Sequence, residues 1–335
     1  MKLLPVLLRV RTIVLVTLDA FKENQILKKL FALLLVVVCT CLQLQAIAQP
    51  LPKVSSGSIE RHADFPSKFV QPRHIDVWLP EGYTADKRYT VLYMQDGQTL
   101  FEPVYSMSKH AWHVDETLSR LLREGRVTDT IVVGIWNTGK GRHAEYFPEK
   151  FLPHVPDALR VRFIKEGLDG TPRADNYLRF IVEELKPFID GRYRTRPGPG
   201  STSIMGSSMG GMISIYAMNE YPQVFGGAAG MSTRWVGGFT PIAGLTLPAF
   251  IYLRDHIAAP EGHRLYMDRG TIEIDAWYGV AQAFIDDLVR ERGYTSANLV
   301  SRVFEGKGHN ERDWAARLEI PLLFLLGKAQ TGATK

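Results

Sequence analysis

STSIMGSSMGGM, residues 201–212, joins a short apolar strand pattern to an apolar helix pattern through a glycine-rich turn. Within this stretch, residues 206–210 fit the pattern G-x-S-x-G. A sharp strand-to-helix turn of this kind exposes the central serine at the carboxyl end of a strand, and the flanking glycines relieve backbone crowding. The pattern predicts Ser208 as a nucleophile and the backbone N–H of Met209 as an oxyanion donor. A tight glycine-rich turn without a nucleophile is the alternative.

The segments on both sides of this stretch alternate between strand and helix patterns. Residues 142–172 contain four prolines and are interpreted as a long loop or small cap. Because the alternation is not divided by a linker, we expect one α/β domain over residues 70–330, with a mostly parallel sheet covered by helices on both faces. Strands are predicted at 74–79, 90–94, 130–136, 201–206, 224–231, 264–268 and 299–305, and helices at 113–124, 174–190, 209–220, 249–257, 276–292 and 312–327.

A serine hydroxyl needs a base, and His309 in EGKGHNERDW (305–314) follows the last predicted strand on a glycine-flanked loop. A carboxylate between nucleophile and histidine would complete a triad. RLYMDRGTIEIDAWY (264–278) offers Asp268, which is expected still to lie on the strand, and then Glu273 and Asp275. We prefer Asp275, keep Glu273 as the alternate acid, and note that Asp275 could instead cap the helix that follows.

Two other loops are predicted to complete the site. The loop after residues 90–94 offers Gly97 or Gln98 as a second oxyanion donor, although an ordinary Asp-Gly turn would also fit. The end of the predicted central strand 130–136 and the segment after it lie where ligands bind in open α/β sheets. The candidate substrate-binding residues there are Trp136, Asn137, Arg142 and Tyr146. Alternatively, Trp136 packs in the core and Arg142 pairs with Glu145 at the surface.

The composition excludes several other classes of protein. Hydrophobic residues make up 45% and charged residues 22%, as in ordinary globular chains. The sequence shows no metal-ligand spacing, no phosphate-binding loop and no dinucleotide motif, so we expect neither metal nor cofactor. The basic residues are scattered rather than striped, which argues against binding nucleic acid.

The N-terminal segment, residues 1–48, is expected to be an extension followed by a secretory signal. Lys28 and Lys29 precede an apolar run at 30–42, and a small-residue pattern at 46–48 predicts cleavage after Ala48. An uncleaved anchor helix is the alternative. The segment holds six of the 40 basic residues, two of the 35 acidic residues and both cysteines, so the remainder carries a net charge near +1. We therefore expect a periplasmic or secreted protein with no stable membrane insertion after signal removal, and a flexible lead-in at 49–69.

Five motifs carry a family resemblance: YMQDGQTLF (93–101), VVGIWNTGKGRHAEYFP (132–148), GSSMGG (206–211), DRGTIEIDAWY (268–278) and FEGKGHNERDW (304–314). In this order they resemble the putative-esterase family of α/β-hydrolases, which includes esterase D, enterochelin-type esterases, and feruloyl and acetyl-xylan esterase domains. The resemblance covers about residues 70–327. It implies an α/β-hydrolase fold with Ser208 as nucleophile and His309 as base. The family's acid matches Glu273 in some relatives, and Asp275 in those that read G-T-x-T-L-D.

The resemblance also implies an activity, namely that of a serine esterase that acts through an acyl-enzyme. Its expected substrate is a small-molecule or carbohydrate ester of polar character, such as an acylated sugar, a phenolic ester or a siderophore ester. Acyl transfer to a carbohydrate acceptor is an alternative, because the family has a mycolyltransferase branch. A catalytically silent ligand-binding protein on a hydrolase scaffold is another.

Overall fold

A computed structural model describes residues 49–106, 108–235 and 242–328. The expected extension and signal, residues 1–48, lie outside these ranges. The described residues from Pro52 onward belong to one compact unit. Among the residues that the structure describes, no helix is both long and apolar enough to cross a membrane.

Eight strands form one sheet in the order β1-β2-β4-β3-β5-β6-β7-β8. The pairs β1–β2 and β2–β4 are antiparallel, and every other neighbouring pair is parallel, so the predicted mostly parallel sheet is confirmed. The carboxyl ends of β3 to β8 therefore meet at one edge of the sheet. The strands are β1 Ser58–Phe65, β2 Arg73–Leu79, β3 Thr90–Gln95, β4 Thr130–Ile135, β5 Thr202–Ser207, β6 Gly227–Met231, β7 Arg264–Gly270 and β8 Leu299–Phe304.

The central strands bury side chains on both faces. On β3, Val91 and Tyr93 belong to one apolar cluster, while Leu92 and Met94 belong to another on the opposite face. This alternation follows from the two-residue period of a strand. Because both faces are covered, the strand reads as a continuous apolar run rather than as an alternating one.

The helices agree with the predictions at the centre of the chain and differ at four places. The helix predicted at 249–257 begins six residues earlier, at Ala243. The predicted loop 142–172 contains α2, a 3₁₀ turn at Glu149–His154, and α3. The predicted helix 276–292 begins only at Gly279, after the 3₁₀ turn Glu273–Tyr278, so Asp275 lies inside that turn and does not cap the helix. The predicted last helix divides into α9 and α10. The helices are α1 Val114–Arg123, α2 Arg142–Tyr146, α3 Asp157–Gly167, α4 Ala174–Arg179, continued by a π-helical turn Phe180–Leu185 into α5 Lys186–Arg192, α6 Met209–Glu220, α7 Ala243–His256, α8 Gly279–Glu291, α9 Glu311–Ala315 and α10 Glu319–Leu326.

The expectation of a flexible lead-in over residues 49–69 is corrected by β1, which occupies residues 58–65. This strand pairs with β2 from Ser58 opposite Leu79 to Phe65 opposite Arg73. It is an edge strand, and its side chains are half-buried or exposed, so the sequence lacks the apolar run that marks the central strands. The hydrogen bonds to β2, together with the two bonds from Arg61 to the buried carboxylate of Asp76 at 2.7 and 2.8 Å, order this segment.

A buried ion pair joins β2 to α2. Arg73 donates to both carboxylate oxygens of Glu145 at 2.7 and 2.8 Å, and the two side chains are 1% and 2% exposed. The guanidinium also lies 5.2 Å from the ring centre of Tyr177 on α4. The alternative surface pair of Arg142 with Glu145 therefore does not form, because the Glu145 carboxylate is already engaged in the core.

Candidate active site

The turn after β5 holds Ser208 at φ 56° and ψ −122°. A non-glycine residue pays about 1–3 kcal/mol for such backbone geometry. The Ser208 N–H donates to the carbonyl of Met231 at 2.8 Å, and α6 begins at the next residue. A Cβ added at Gly206 would lie 2.7 Å from the carbonyl carbon of Gly210, so strand and helix approach this closely only because residue 206 has no side chain.

His309 meets Asp275 at the same edge of the sheet. Nδ1 of His309 lies 2.6 Å from Oδ1 of Asp275, whose side chain is fully buried. Because a carboxylate only accepts, Nδ1 carries the proton and Nε2 is left as the basic nitrogen. Edge contacts with Tyr278 at 5.8 Å and Trp314 at 5.0 Å hold the ring in place. Ser208 and His309 line one cavity.

The second oxygen of Asp275 is held as firmly as the first. Oδ2 accepts the hydroxyl of Ser232 at 2.5 Å and the N–H of Gly270 at 2.7 Å. Burial alone would raise the pKa of Asp275, but the hydrogen bond and charge of His309, together with these two donors, hold that pKa below its usual value. The carboxylate is therefore ionised at neutral pH.

The other two candidate acids lie in different surroundings. Glu273 accepts the backbone N–H of His309 through Oε2 at 2.8 Å, so it binds the loop rather than the ring. Asp268 lies on β7, as expected, and pairs with Arg317 in the core at 3.0 Å. Of the three, the structure brings Asp275 to the imidazole.

The predicted oxyanion donors lie on two segments of the chain. Met209 is the first residue of α6, where the helix itself supplies no acceptor for the N–H. Gln98 lines the cavity together with Ser208. Gly97 packs against β4 instead, since a Cβ there would lie 2.6 Å from the carbonyl carbon of Gly134. Of the two predicted donors in this loop, Gln98 is the one at the cavity.

Asp96 organises the loop that carries Gln98. Its carboxylate accepts Nε and Nη2 of Arg142, each at 2.7 Å, and Nδ2 of Asn137 at 2.7 Å. Its own N–H donates to the hydroxyl of Tyr146 at 3.4 Å. Three of the four candidate substrate-binding residues therefore converge on this loop. Asn137 and Arg142 also line the cavity.

Trp136 and Tyr146 lie behind the cavity wall rather than in it. Trp136 is 8% exposed, and its indole N–H donates to the buried carboxylate of Asp76 at 2.8 Å. Tyr146 is fully buried. The structure thus places Trp136 in the core, as the alternative interpretation held, because a buried indole N–H needs an acceptor and Asp76 supplies one.

The cavity has a volume of about 660 Å³ and a wall of mixed character. Burial and the positive charges of Arg234 and Arg142 lower the pKa of His143, another residue of this wall, to about 4, so this imidazole is neutral at pH 7.

Over residues 49–106, 108–235 and 242–328, no group of three or more His, Cys, Asp or Glu is placed to hold a metal ion. The aromatic rings and polar side chains in the wall include Tyr105, Trp112, Trp314, Asn137, Arg142 and Arg234.

Sequence reasoning missed three residues of this site, namely Asp96, Ser232 and Arg234. Arg234 lies just after β6, its N–H donates to the carbonyl of Ser208 at 3.3 Å, and its side chain reaches the cavity. Asp96 follows β3 directly, and Ser232 follows β6 directly. Position after the carboxyl end of a parallel strand was therefore the signal that could have found all three.

Comparison with known proteins bears on the family and the fold. The family model described as "Putative esterase" matches residues 67–321. The chain is 23% identical over 266 residues to the uncharacterized protein YbbA of Bacillus subtilis, covering 76% of this chain and 93% of that protein. It is 28% identical over 168 residues to the siderophore enterobactin esterase of Emericella nidulans, covering 46% of this chain and 50% of that protein. A solved structure of a ferulic acid esterase superposes with a TM-score of 0.56 at 21% identity, covering 81% of this chain and 98% of that one, which shows the α/β-hydrolase fold.

Gly206→Ala is expected to lower kcat/KM for a p-nitrophenyl ester by about 100-fold or more, because misplacing reacting groups by about 1 Å costs that much. The added Cβ would lie 2.7 and 2.8 Å from the carbonyl carbon and oxygen of Gly210 and would displace the start of α6. Gly191→Ala is the matched control, because nothing lies within 4 Å of a Cβ there. Steady-state kinetics and thermal unfolding of both variants check this, and a fully active Gly206→Ala enzyme would contradict it.

Proposed function

We propose that this chain, which belongs to the putative-esterase family and is a carboxylic ester hydrolase, acts through a catalytic triad of Ser208, His309 and Asp275. The 2.6 Å contact between His309 Nδ1 and Asp275 Oδ1 carries the proposal. The strained backbone of Ser208 supports it, because a scaffold that only binds ligand gains nothing from that cost. Ser208 is strained and shares a cavity with His309, whose ring is bound to Asp275. This combination favours a catalytic protein over one that only binds a ligand.

The proposed reaction proceeds through an acyl-enzyme. Nε2 of His309 takes the proton of the Ser208 hydroxyl as its oxygen attacks the ester carbonyl carbon. Asp275 keeps the imidazole oriented and stabilises its positive charge. The N–H groups of Met209 and Gln98 stabilise the tetrahedral oxyanion. His309 then protonates the leaving alcohol, and it later deprotonates the water that hydrolyses the acyl-enzyme.

The proposed substrate is a polar ester, with phenolic, sugar and siderophore esters as the candidates. The cavity wall supports this, because Tyr105, Trp112 and Trp314 offer rings while Arg234 and Asn137 offer hydrogen-bond donors. The relatives named for enterobactin and for ferulic acid support the same class. Comparing kcat/KM on feruloylated, acetylated and siderophore esters tests it. A preference for long-chain alkyl esters would contradict it.

We further propose that residues 1–48 direct export and that residues 70–330 are the hydrolase domain. The family match over 67–321 supports the domain boundaries. The lysine pair at 28–29, the apolar run at 30–42 and the small residues at 46–48 support export. N-terminal sequencing of the protein recovered outside the cytoplasm tests the cleavage, and the expected mature terminus is Gln49. Recovery of an unprocessed chain from the cytoplasm would refute it.

Ser208→Ala is expected to abolish both ester turnover and covalent labelling by a fluorophosphonate probe, because Ser208 occupies the strained turn before α6, whereas Ser207, which also lines the cavity, is the last residue of β5. Residual turnover no more than about 10³–10⁴-fold above the uncatalysed rate is compatible with an intact oxyanion site. Ser214→Ala serves as the control, because Ser214 lies on α6 and its hydroxyl donates to the carbonyl of Gly210 at 2.7 Å. Unaltered turnover in Ser208→Ala would show that Ser208 is not the nucleophile.

Asp275→Asn is expected to lower kcat by about 10³–10⁴-fold, because an amide cannot balance the imidazolium charge and favours the wrong tautomer. Glu273→Gln is the matched comparison and should cost less than about tenfold, since the amide oxygen can still accept the N–H of His309. Kinetics of the two variants with one p-nitrophenyl ester separate the two acids. The opposite ranking would make Glu273 the triad acid.

A further inference from the structure

Ser232 occupies a fixed position behind the proposed triad acid. It follows β6 directly, is fully buried and has a left-handed φ of 46°. Its N–H donates to the carbonyl of Asp268 at 2.9 Å and lies 3.1 Å from Oδ1 of the same residue. The backbone of Ser232 is therefore anchored to β7, the strand that precedes Asp275.

The surroundings of the Ser232 hydroxyl decide the direction of its single proton. Nε1 of Trp314 lies 3.0 Å from Oγ, and Nη2 of Arg317 lies 2.9 Å from it. Both nitrogens can only donate, so they fill the two lone pairs of the oxygen. The hydroxyl proton is left for the remaining contact, Oδ2 of Asp275 at 2.5 Å.

The arginine in this arrangement is itself held in the core. The side chain of Arg317 is 3% exposed, and Nε and Nη2 donate to the carboxylate of Asp268 at 3.1 and 3.0 Å. Tyr266 donates its hydroxyl to the same carboxylate at 2.8 Å. The positive charge beside the Ser232 oxygen makes that hydroxyl a stronger donor than one in a neutral setting.

We propose that Ser232, fixed as a donor by Trp314 and Arg317, is a positioning residue that holds the Asp275 carboxylate in one orientation toward His309. This inference rests on the proposed triad. With Ser232 and the Gly270 N–H on Oδ2, Oδ1 alone is left for the imidazole, and the carboxylate cannot rotate without breaking two bonds. Neither Ser232 nor Arg317 touches the reacting atoms, so both act through Asp275.

Loss of the Ser232 hydroxyl would leave more negative charge on Asp275 and so stabilise the protonated form of the Asp275–His309 pair. In a plot of kcat/KM against pH, the activity lost at low pH reports protonation of this pair as a unit. If the protonated pair is more stable, this acid limb moves to higher pH. The other charged groups packed behind Asp275, Arg317 and Asp268, are unchanged by the substitution. Burial raises the pKa of Tyr278, so this neighbour of His309 stays neutral between pH 5 and 9.

The test compares Ser232→Ala with wild type between pH 5 and 9 on a p-nitrophenyl ester, with active sites counted by fluorophosphonate titration. Per active site, kcat is expected to fall about 10- to 100-fold from the loss of one charge-assisted hydrogen bond, with KM within about threefold. The midpoint of the acid limb is expected to move to higher pH by about half a pH unit or more. Ser214→Ala is the control, because it removes a buried hydroxyl on α6. The acid limb of this variant is expected to have the same midpoint as that of the wild type.

Ser232→Gly and Ser232→Cys provide a second comparison if Ser232→Ala does not fold, because glycine adopts the left-handed φ of this position without strain. Glycine lacks the hydroxyl and cysteine offers only a weak thiol donor, so both should shift the acid limb to higher pH. Equal pH profiles in all variants, with wild-type kcat per titrated site, would overturn the inference. That outcome differs from failure of the triad itself, in which Ser208→Ala would keep its turnover.

Discussion

The backbone of Ser208 is the constraint on which the site depends. Its positive φ turns the chain from β5 into α6 within one residue. The turn is stable because the N–H of Ser208 bonds to the end of β6 and its carbonyl accepts the N–H of Arg234. The neighbouring strand therefore supports the strained residue from both its amide and its carbonyl. Consequently, the residues after β6 are fixed relative to the nucleophile, which places Ser232 and Arg234 at the site.

A second constraint acts on the loop after β3. That loop lies beside the elbow, where a Cβ at Gly210 would lie 3.1 Å from the Asp96 carboxylate, so the loop and α6 determine each other's position. Asp96 takes a left-handed φ of 57° to begin the 3₁₀ turn. Its carboxylate compensates with three short bonds to Arg142 and Asn137. The segment after β4 thus supports the loop that carries Gln98, and Asn137 and Arg142 also line the cavity.

The sequence predicted the structure best where the pattern of neighbouring residues alone determines the role of a segment in the fold. The buried parallel strands and α6 were predicted almost residue for residue, because apolar runs and the glycine elbow are local signals. β1 was missed because an edge strand with half-buried polar residues lacks that signal. Trp136 ends a predicted strand, a position that fits the cavity as well as the core, because the acceptor that draws it inward, Asp76, lies 60 residues away in the chain. Long-range polar pairing of this kind has no local pattern.

The choice between Glu273 and Asp275 looked from the sequence like a choice between two candidates for one role. The geometry divides the work between them. Glu273, itself at a positive φ of 55°, accepts the backbone N–H of His309, while Asp275 accepts the ring N–H. A histidine on a glycine-flanked loop needs both its main chain and its ring fixed, because a ring held by one bond still swings with its backbone. Glu273 therefore fixes the main chain of His309 and Asp275 fixes its ring, and of the two only Asp275 reaches the imidazole.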